Sequence, residues 1–421
     1  MPPPPPPPSP TKVAVLGAGS FGSAMVRMIS LALAAGHPGA ELSWYARRTS
    51  VADEINSERT NSQYFPCGTF LPCVTATSDV VECVRKADIV VLAVPTAYLP
   101  PLLDLILADH SASLSADAVI CSVLKSIKYD AAEAGGRGRI LTSIDVVRRH
   151  LRAAADGRYA ATSTVALSGP NLYSEMAVEG EIAEATVGYD TGDEAAADLV
   201  RRVTSSPAFR TSLLPDRRGL ELCGGLKNVL ALAVGYLEGM GMGWNARSAT
   251  VRAGMHEMCR FIDEVCVEDG DEDRTAAGGS RATVFETAGG VGDLILTCTA
   301  GRGRTLAAAF VKKVLAEGSV EATVAAKSDG GEEDEMSEDE LLRIASVERW
   351  EGLENELLNG MRLPDWHNAQ YVYRALEGRG LLGTGQFPLL EQVYSIGFLG
   401  SSPSSIVDAL SRSIVVADRR R

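Results

Sequence analysis

Lys227 is the only basic residue in Gly219 to Leu237, a stretch apolar almost all round. Such a stretch reads as a buried helix. A lysine inside one must be paired, shed its proton or line a polar cleft. The neighbouring Asn228, with Gly224 and Gly225 thinning the helix for close approach, favours a cleft over a lysine snorkelling to the surface. Further on, Gly289-Gly-Val-Gly-Asp-Leu-Ile-Leu-Thr-Cys-Thr-Ala-Gly-Arg-Gly-Arg304 sets an acid, Asp293, in an apolar helical run and ends with two arginines among glycines. Arginine offers a bidentate fork to phosphate, and glycine on both sides of Arg302 gives it room. Trp244-Asn-Ala-Arg-Ser-Ala-Thr-Val-Arg252 reads as a helix start with Asn245 as N-cap. The five histidines (37, 110, 150, 256, 367) form no ligand cluster or triad, and no metal site is expected.

A second chemistry is written near the N-terminus, in Lys12-Val-Ala-Val-Leu-Gly-Ala-Gly-Ser-Phe-Gly22. A short apolar strand meets Gly17, Gly19 and Gly22, and a helix-like stretch from Ser23 to Leu33 follows. Gly17 permits the tight turn, Gly19 lets backbone approach a pyrophosphate, and Gly22 lets helix pack on strand. Ser20 and Phe21 lie in the same loop, and the helix start supplies free N–H groups to phosphates. Strand, glycines and helix come in the order that a dinucleotide site requires.

The elements that must position these residues alternate from Thr11 to about Leu214. Apolar runs at Lys12–Leu16, Glu41–Tyr45, Ile89–Val94, Ala118–Leu124 and Thr164–Leu167 read as strands, with helical patterns such as Ser78–Lys86 and Ser143–Ala155 between them. Continuous rather than alternating apolarity implies a parallel sheet covered on both faces. Ligands bind beyond the carboxyl ends of such strands, which gathers Gly19, Pro95, Lys125 and Asn171 on one edge. Past Pro215 the pattern turns helical. The expected fold is α/β: a Rossmann-type, mostly parallel sheet over residues 11–214, then an all-α region over 215–421.

Composition bounds the rest. A chain of 421 residues suggests two domains. No apolar run stands out as a membrane span, so a soluble protein is expected. A net charge of −14 argues against nucleic acid as partner. Eight acids lie between Asp329 and Glu340 with no base among them, leaving only −6 for the rest. Gly330-Gly331 breaks any helix entering that stretch, so a mobile loop remote from the active site is expected. The eight cysteines show no CxxC pair, which fits buried thiols in a reduced compartment. Residues 1–10 are mostly proline and lack the pattern of a secretory or transit peptide; a disordered tail is expected.

Together these motifs give the chain a family resemblance. From Lys12 to about Leu399 it resembles the soluble nicotinamide-dependent glycerol-3-phosphate dehydrogenases. The motifs are Gly17-Ala-Gly-Ser-Phe-Gly22, Val94-Pro95, Leu124-Lys125, Ser168-Gly-Pro-Asn-Leu-Tyr-Ser-Glu-Met-Ala177, Glu221-Leu-Cys-Gly-Gly-Leu-Lys-Asn228, Gly292-Asp-Leu-Ile-Leu-Thr-Cys298 and Gly301-Arg302, with Leu353–Gly360 and Phe387–Leu390 toward the end. The resemblance implies a small-molecule substrate and a reaction, the interconversion of sn-glycerol 3-phosphate and dihydroxyacetone phosphate. It makes Lys227 the general acid/base, a role that suits a lysine whose pKa is lowered by burial. Lys125 and Asn171 would hold and polarise the carbonyl, and Asp293 would orient Lys227. Arg302 would clamp the phosphate, with Asn228 and Thr297 nearby. Gly17, Gly19, Ser20, Phe21, Gly22, Arg47, Pro95, Lys125 and Arg302 would hold the dinucleotide. A cytoplasmic homodimer serving carbohydrate and glycerolipid metabolism is implied as well.

The chain also departs from the pattern. Gly303 stands where a larger polar residue is common, and Ser126 where glycine is usual. Segments near 267–281 and 321–342 look like acidic loop insertions. The second strand ends in Trp44-Tyr-Ala-Arg-Arg48, with no acid for the adenosine ribose, so NADP stands beside NAD as the cofactor. Adenine stacking on Arg47 explains that residue equally well. A related Rossmann-plus-helical 3-hydroxyacid or ketopantoate-type dehydrogenase is the alternative, and it needs no Arg302-type clamp. A non-catalytic dinucleotide sensor would have lost Lys227 or Lys125; both are present.

Overall fold

The computed structural model describes residues 10–108, 114–115, 117–132, 137–154, 157, 159, 161–267, 279–317 and 337–418. The proline-rich tail and most of the two acidic segments lie outside the described residues. What is described of those segments is helical rather than loop: one helix begins at Gly279 and another at Glu338, so the acidic run ends in a first helical turn.

Among the described residues the strands are β1 (Lys12–Leu16), β2 (Glu41–Tyr45), β3 (Val74–Thr77), β4 (Ile89–Leu92), β5 (Val119–Ser122), β6 (Lys128–Asp130), β7 (Arg139–Leu141), β8 (Ser163–Ser168), β9 (Ala183–Gly188) and β10 (Phe209–Leu214). Eight form one sheet in the order β10-β9-β8-β5-β4-β1-β2-β3. Every neighbouring pair is parallel except β8 and β9. β6 and β7 form a separate antiparallel pair.

The continuous apolarity of the central strands has the expected cause. Val13, Val15, Ile89, Val91, Val119 and Cys121 pack into one core with Met25, Ile29, Ile55 and Val200. Ala14, Leu16, Val90, Leu92 and Ile120 face the other way, into a core with Val84, Leu103 and Val147. Helices α1 (Ser20–Gly36), α2 (Thr49–Glu58) and α7 (Glu194–Thr204) cover the first face. Helices α3 (Val80–Val84), α4 (Leu99–Ala108) and α5 (Ser143–Ala153) cover the second, and a single turn, α6 (Tyr173–Met176), follows β8. Full burial of each such side chain contributes about 1.5–3 kcal/mol. β3, β6, β7, β9 and β10 lie outside the expected strand set. β3 and β10 are the sheet's edges, and β10 exposes most of its middle residues, so neither carries the unbroken apolar run that marks the interior strands.

After β10 the chain is helical: α8 (Arg217–Gly239), α9 (Trp244–Val267), α10 (Gly279–Glu286), a five-residue π-turn at Ala288–Gly292, α11 (Asp293–Ala300), α12 (Arg302–Glu317), α13 (Glu338–Leu358), α14 (Asp365–Gly378), α15 (Pro388–Phe398) and α16 (Ser405–Asp418). Every residue of α8 from Arg217 to Leu237 is buried, with α9, α11, α12, α14 and α15 packed around it. By length and composition α8 reaches the size of a membrane span, contrary to the expectation that no run would. Its complete burial makes it the core helix of this region. Asn245 is not an N-cap: α9 starts at Trp244, one residue earlier.

Ions tie the start of α8 to the sheet region. Arg217 bonds Glu221 and Asp190 at 2.5 and 2.8 Å, while Arg218 bonds Asp145 of α5 at 2.5 Å. Glu221 also accepts from Ser143 Oγ and the Ile144 N–H. These buried charges are mutually paired, the condition on which burial is tolerable.

Candidate active site

Gly17 turns the chain out of β1 with φ +120°, and a Cβ there would lie 2.5 Å from the Ala93 carbonyl oxygen. A residue other than glycine is excluded twice over, by backbone strain and by space. The loop is pinned by the Gly17 N–H on the Tyr45 carbonyl and by the Trp44 indole donating to Gly17 O at 3.0 Å. Gly19 is the N-cap of α1 and brings no side chain to its first turn, where Ser20, Phe21 and Gly22 follow. A Cβ on Gly19 would meet nothing within 4 Å, so the ground above this helix start is open. Unclaimed N–H groups facing open space fit a pyrophosphate. They sit where β1 and β4 diverge to opposite halves of the sheet, the usual crevice for a dinucleotide. Pro95 is exposed beyond β4.

The chemical centre forms where α8 meets the carboxyl ends of β5 and β8. At Gly224 a Cβ would lie 3.3 Å from Lys125 Cα, so this helix face rides directly on the chain leaving β5. One turn on, Lys227 Nζ lies 2.5 Å from Asp293 Oδ1. Lys125 Nζ lies 2.8 Å from the other oxygen, Oδ2, and donates to Gly169 O at 2.8 Å. Ser168 Oγ donates to the same carboxylate at 3.3 Å. Asp293, first residue of α11, is thus a buried carboxylate shared by two lysines. The Lys125 ammonium also stands over the Phe21 ring at 5.7 Å, joining this centre to the glycine loop.

Burial draws the Lys227 pKa down from 10.5 to about 8; Asp293 opposes the fall and Lys125 adds to it. Burial works to raise the Asp293 pKa, but Lys125 and Lys227 together hold it below the ordinary carboxylate value. A lysine that holds or releases its proton near neutral pH, beside a fixed anion, can serve as acid or base.

The other expected residues are less uniformly placed. Asn171, buried beyond β8, donates its amide to Glu184 O at 2.8 Å, and its Oδ1 is buried without a partner. Asn228 is buried beside Lys227. Thr297 donates its hydroxyl one turn back to Asp293 O at 2.6 Å. Arg302 is exposed at the start of α12 with its guanidinium on Met361 Sδ, and so is not in contact with the lysines. Arg304 is paired with Glu238. Arg47 is exposed with its guanidinium over Tyr98 at 5.7 Å; Arg48 bonds Gln63 and stands over Tyr64. The Ser126 hydroxyl bonds that of Thr96, linking the segments that leave β5 and β4. Asp365, first residue of α14, was not among the expected residues, yet it is buried within the fields of both Lys227 and Arg302. It falls in no motif, although Leu353–Gly360 ends five residues before it, so only the fold could reveal it. No cluster of metal-ligating side chains occurs among the described residues.

A glycine-loop crevice opening onto a lysine–carboxylate–lysine centre defines a Rossmann-type nicotinamide-dependent oxidoreductase. Family models described as the N-terminus and C-terminus of NAD-dependent glycerol-3-phosphate dehydrogenase match residues 12–195 and 216–332. The chain belongs to the NAD-dependent glycerol-3-phosphate dehydrogenase family, and it is an NAD-dependent oxidoreductase of glycerol 3-phosphate. It is 28% identical to the human cytoplasmic glycerol-3-phosphate dehydrogenase [NAD(+)], over 95% of this chain and 97% of that one. The Drosophila melanogaster protein of the same name is 27% identical over 94% and 93%. In fold it is similar to glycerol-3-phosphate dehydrogenase from Saccharomyces cerevisiae (TM-score 0.73, 23% identity, 96% of this chain and 99% of that one). The Plasmodium falciparum enzyme is equally similar (TM-score 0.73, 23% identity, 95% of each chain). The 3-hydroxyacid or ketopantoate-type alternative is not favoured.

Proposed function

We propose that Lys227 moves the proton in this chain's interconversion of sn-glycerol 3-phosphate and dihydroxyacetone phosphate. The observation that carries the assignment is the single buried carboxylate, Asp293, shared by Lys227 and Lys125. In the oxidising direction neutral Lys227 takes the proton of the C2 hydroxyl; in the reducing direction its ammonium returns it. Lys125, anchored by Gly169 O and Asp293, has one N–H left to hold the C2 oxygen and to stabilise charge developing on it. Asp293 orients both lysines and keeps the pair near charge balance. Asn171 offers its unpartnered Oδ1 to a donor on substrate or cofactor, and Asn228 and Thr297 add substrate contacts. Arg302 clamps the phosphate.

Residues 11–214 hold the dinucleotide in this reading and 215–421 the substrate. NAD would supply the hydride acceptor when bound, and Gly17, Gly19, Ser20, Phe21, Gly22, Arg47, Pro95, Lys125 and Arg302 would hold it. A cytoplasmic place is supported by the relatives' names, and a role in glycerolipid and carbohydrate metabolism rests on the family resemblance. The homodimer rests on the family resemblance and is checked by light scattering.

The deciding assay follows NADH oxidation with dihydroxyacetone phosphate and with unphosphorylated dihydroxyacetone, for the native chain and Arg302→Ala. Loss of the charged pair should raise KM for the phosphorylated ketone by about tenfold or more, since charge-assisted bonds are worth about 1.5–3 kcal/mol. The unphosphorylated ketone should be indifferent. Equal losses for both would make Arg302 structural.

A further inference from the structure

Asp365 and Gly303 form a fitted pair. A Cβ built on Gly303 would overlap the Asp365 carboxylate, so the acid occupies the space that a side chain at 303 would fill. Gly303 directly follows Arg302, and Asp365 is 6% exposed, with no ion pair among the described residues. We propose that Asp365, seated against Gly303, is a specificity-determining residue of the phosphate end: its carboxylate shares the field of Arg302 and Lys227 and opposes a second negative charge on the substrate's phosphate.

The inference rests on Arg302 marking the phosphate end. Of the elements packed near Asp365, α8 brings Lys227, α12 brings Arg302 and α13 brings Glu354. Lys128, Asp130 and Arg139 of the β6–β7 pair and Glu391 of α15 also lie on elements packed against α14. Asp130 is paired with Arg149, and Glu391 accepts the Gly383 N–H. Burial raises the Asp365 pKa to about 6; Lys227 and Arg302 oppose that rise and Glu354 adds to it. An arriving phosphate dianion is a further like charge beside a desolvated carboxylate, and like charges disfavour joint ionisation. Substrate binding is therefore linked to proton uptake: the protonated acid accepts the dianion, and the ionised acid resists it.

The test compares Asp365→Asn with the native chain at pH 5 and pH 8, reading KM for dihydroxyacetone phosphate and inhibition by inorganic phosphate. The substrate's own phosphate titrates near pH 6, but identically for both proteins, so the ratio between them is the signal. At pH 8 the asparagine variant should bind both ligands about tenfold more tightly, the factor worth one unit of pKa displacement; at pH 5 the two proteins should agree within about twofold. A ratio that does not change with pH, or weaker phosphate binding by the variant at pH 8, overturns the proposal. Gly303→Ala gives a second measurement. It should raise KM when made alone and have little effect in an Asp365→Gly background; equal effects in both backgrounds contradict the pairing. If Arg302→Ala leaves KM for the phosphorylated ketone unmoved, the underlying reading fails. If it raises KM while Asp365→Asn does nothing, only this inference fails.

Discussion

At the scale of single residues, the centre depends on one lysine being unable to keep its charge cheaply. Lys227 is buried and its proton is held with a pKa of about 8, low for a lysine because water is excluded. The sign follows directly. The neutral base that oxidation requires accumulates above about pH 8, so kcat/KM for glycerol 3-phosphate should rise through that pH. Lys227→Ala should cost about 10²–10⁴-fold in kcat, the usual worth of a positioned acid or base. NADH binding, followed by fluorescence titration, should stay within about twofold. A variant keeping more than about a tenth of native kcat would remove Lys227 from the chemistry. Asp293 acts on the same titration from the other side, since its charge raises the Lys227 pKa. Asp293→Asn should therefore move the inflection of the oxidation profile below pH 8. An inflection left in place would mean that the carboxylate does not set the lysine's charge.

At the scale of elements, the question is what brings α8 close enough for Lys227 to share an acid with Lys125. The helix face carrying Gly224 and Gly225 touches the chain after β5, where Cβ atoms would lie 3.3 Å from Lys125 Cα and 2.9 Å from an Ile127 methyl. Gly224→Val should push helix and strand end apart and lower kcat by an order of magnitude or more. Overpacking of this kind costs about 1–3 kcal/mol in stability. Val at exposed Gly243, with nothing within 4 Å, is the control expected to leave both nearly unchanged. Steady-state rates and melting temperatures separate the two. Much of this contact was legible beforehand. The unbroken apolarity of β1, β4 and β5, the glycine loop and the lone lysine of α8 each demand their setting. The edge strands β3 and β10 were not, because half-exposed residues carry weak patterning. Nor was Asp365, whose partner Gly303 stands far off in sequence and whose role exists only when α12 and α14 meet.

At the scale of the whole molecule, the helical region is closed by a group that no motif marks. Glu257 of α9 is fully buried, and its two oxygens accept the Leu389 and Leu390 N–H groups at 3.0 Å each, capping the first turn of α15. Ser413 of α16 lies close enough to lower its pKa, so one carboxylate sits where three helices meet. Burial raises its pKa from 4.5 to about 7, and the hydrogen bonds, with Arg260, oppose the rise. A carboxyl whose pKa is higher folded than unfolded contributes stability fully below the unfolded value and loses it as pH rises to the folded value. Here that window runs from about 4.5 to about 7. Asp365, raised to about 6, acts with the same sign at its lower end. His37 and His367, both lowered by burial, act with the opposite sign. Those contributions are common to native chain and variant, so the quantity to measure is the difference in Tm between the native protein and Glu257→Gln across pH. Glutamine offers one acceptor to two N–H groups, a penalty of about 1–3 kcal/mol that does not vary with pH. Superposed on it, the native advantage should shrink steadily from pH 4.5 to 7 and then level off. A difference that stays constant from pH 4.5 to 8 would place the titration of Glu257 outside this window and leave its carboxylate a cap alone.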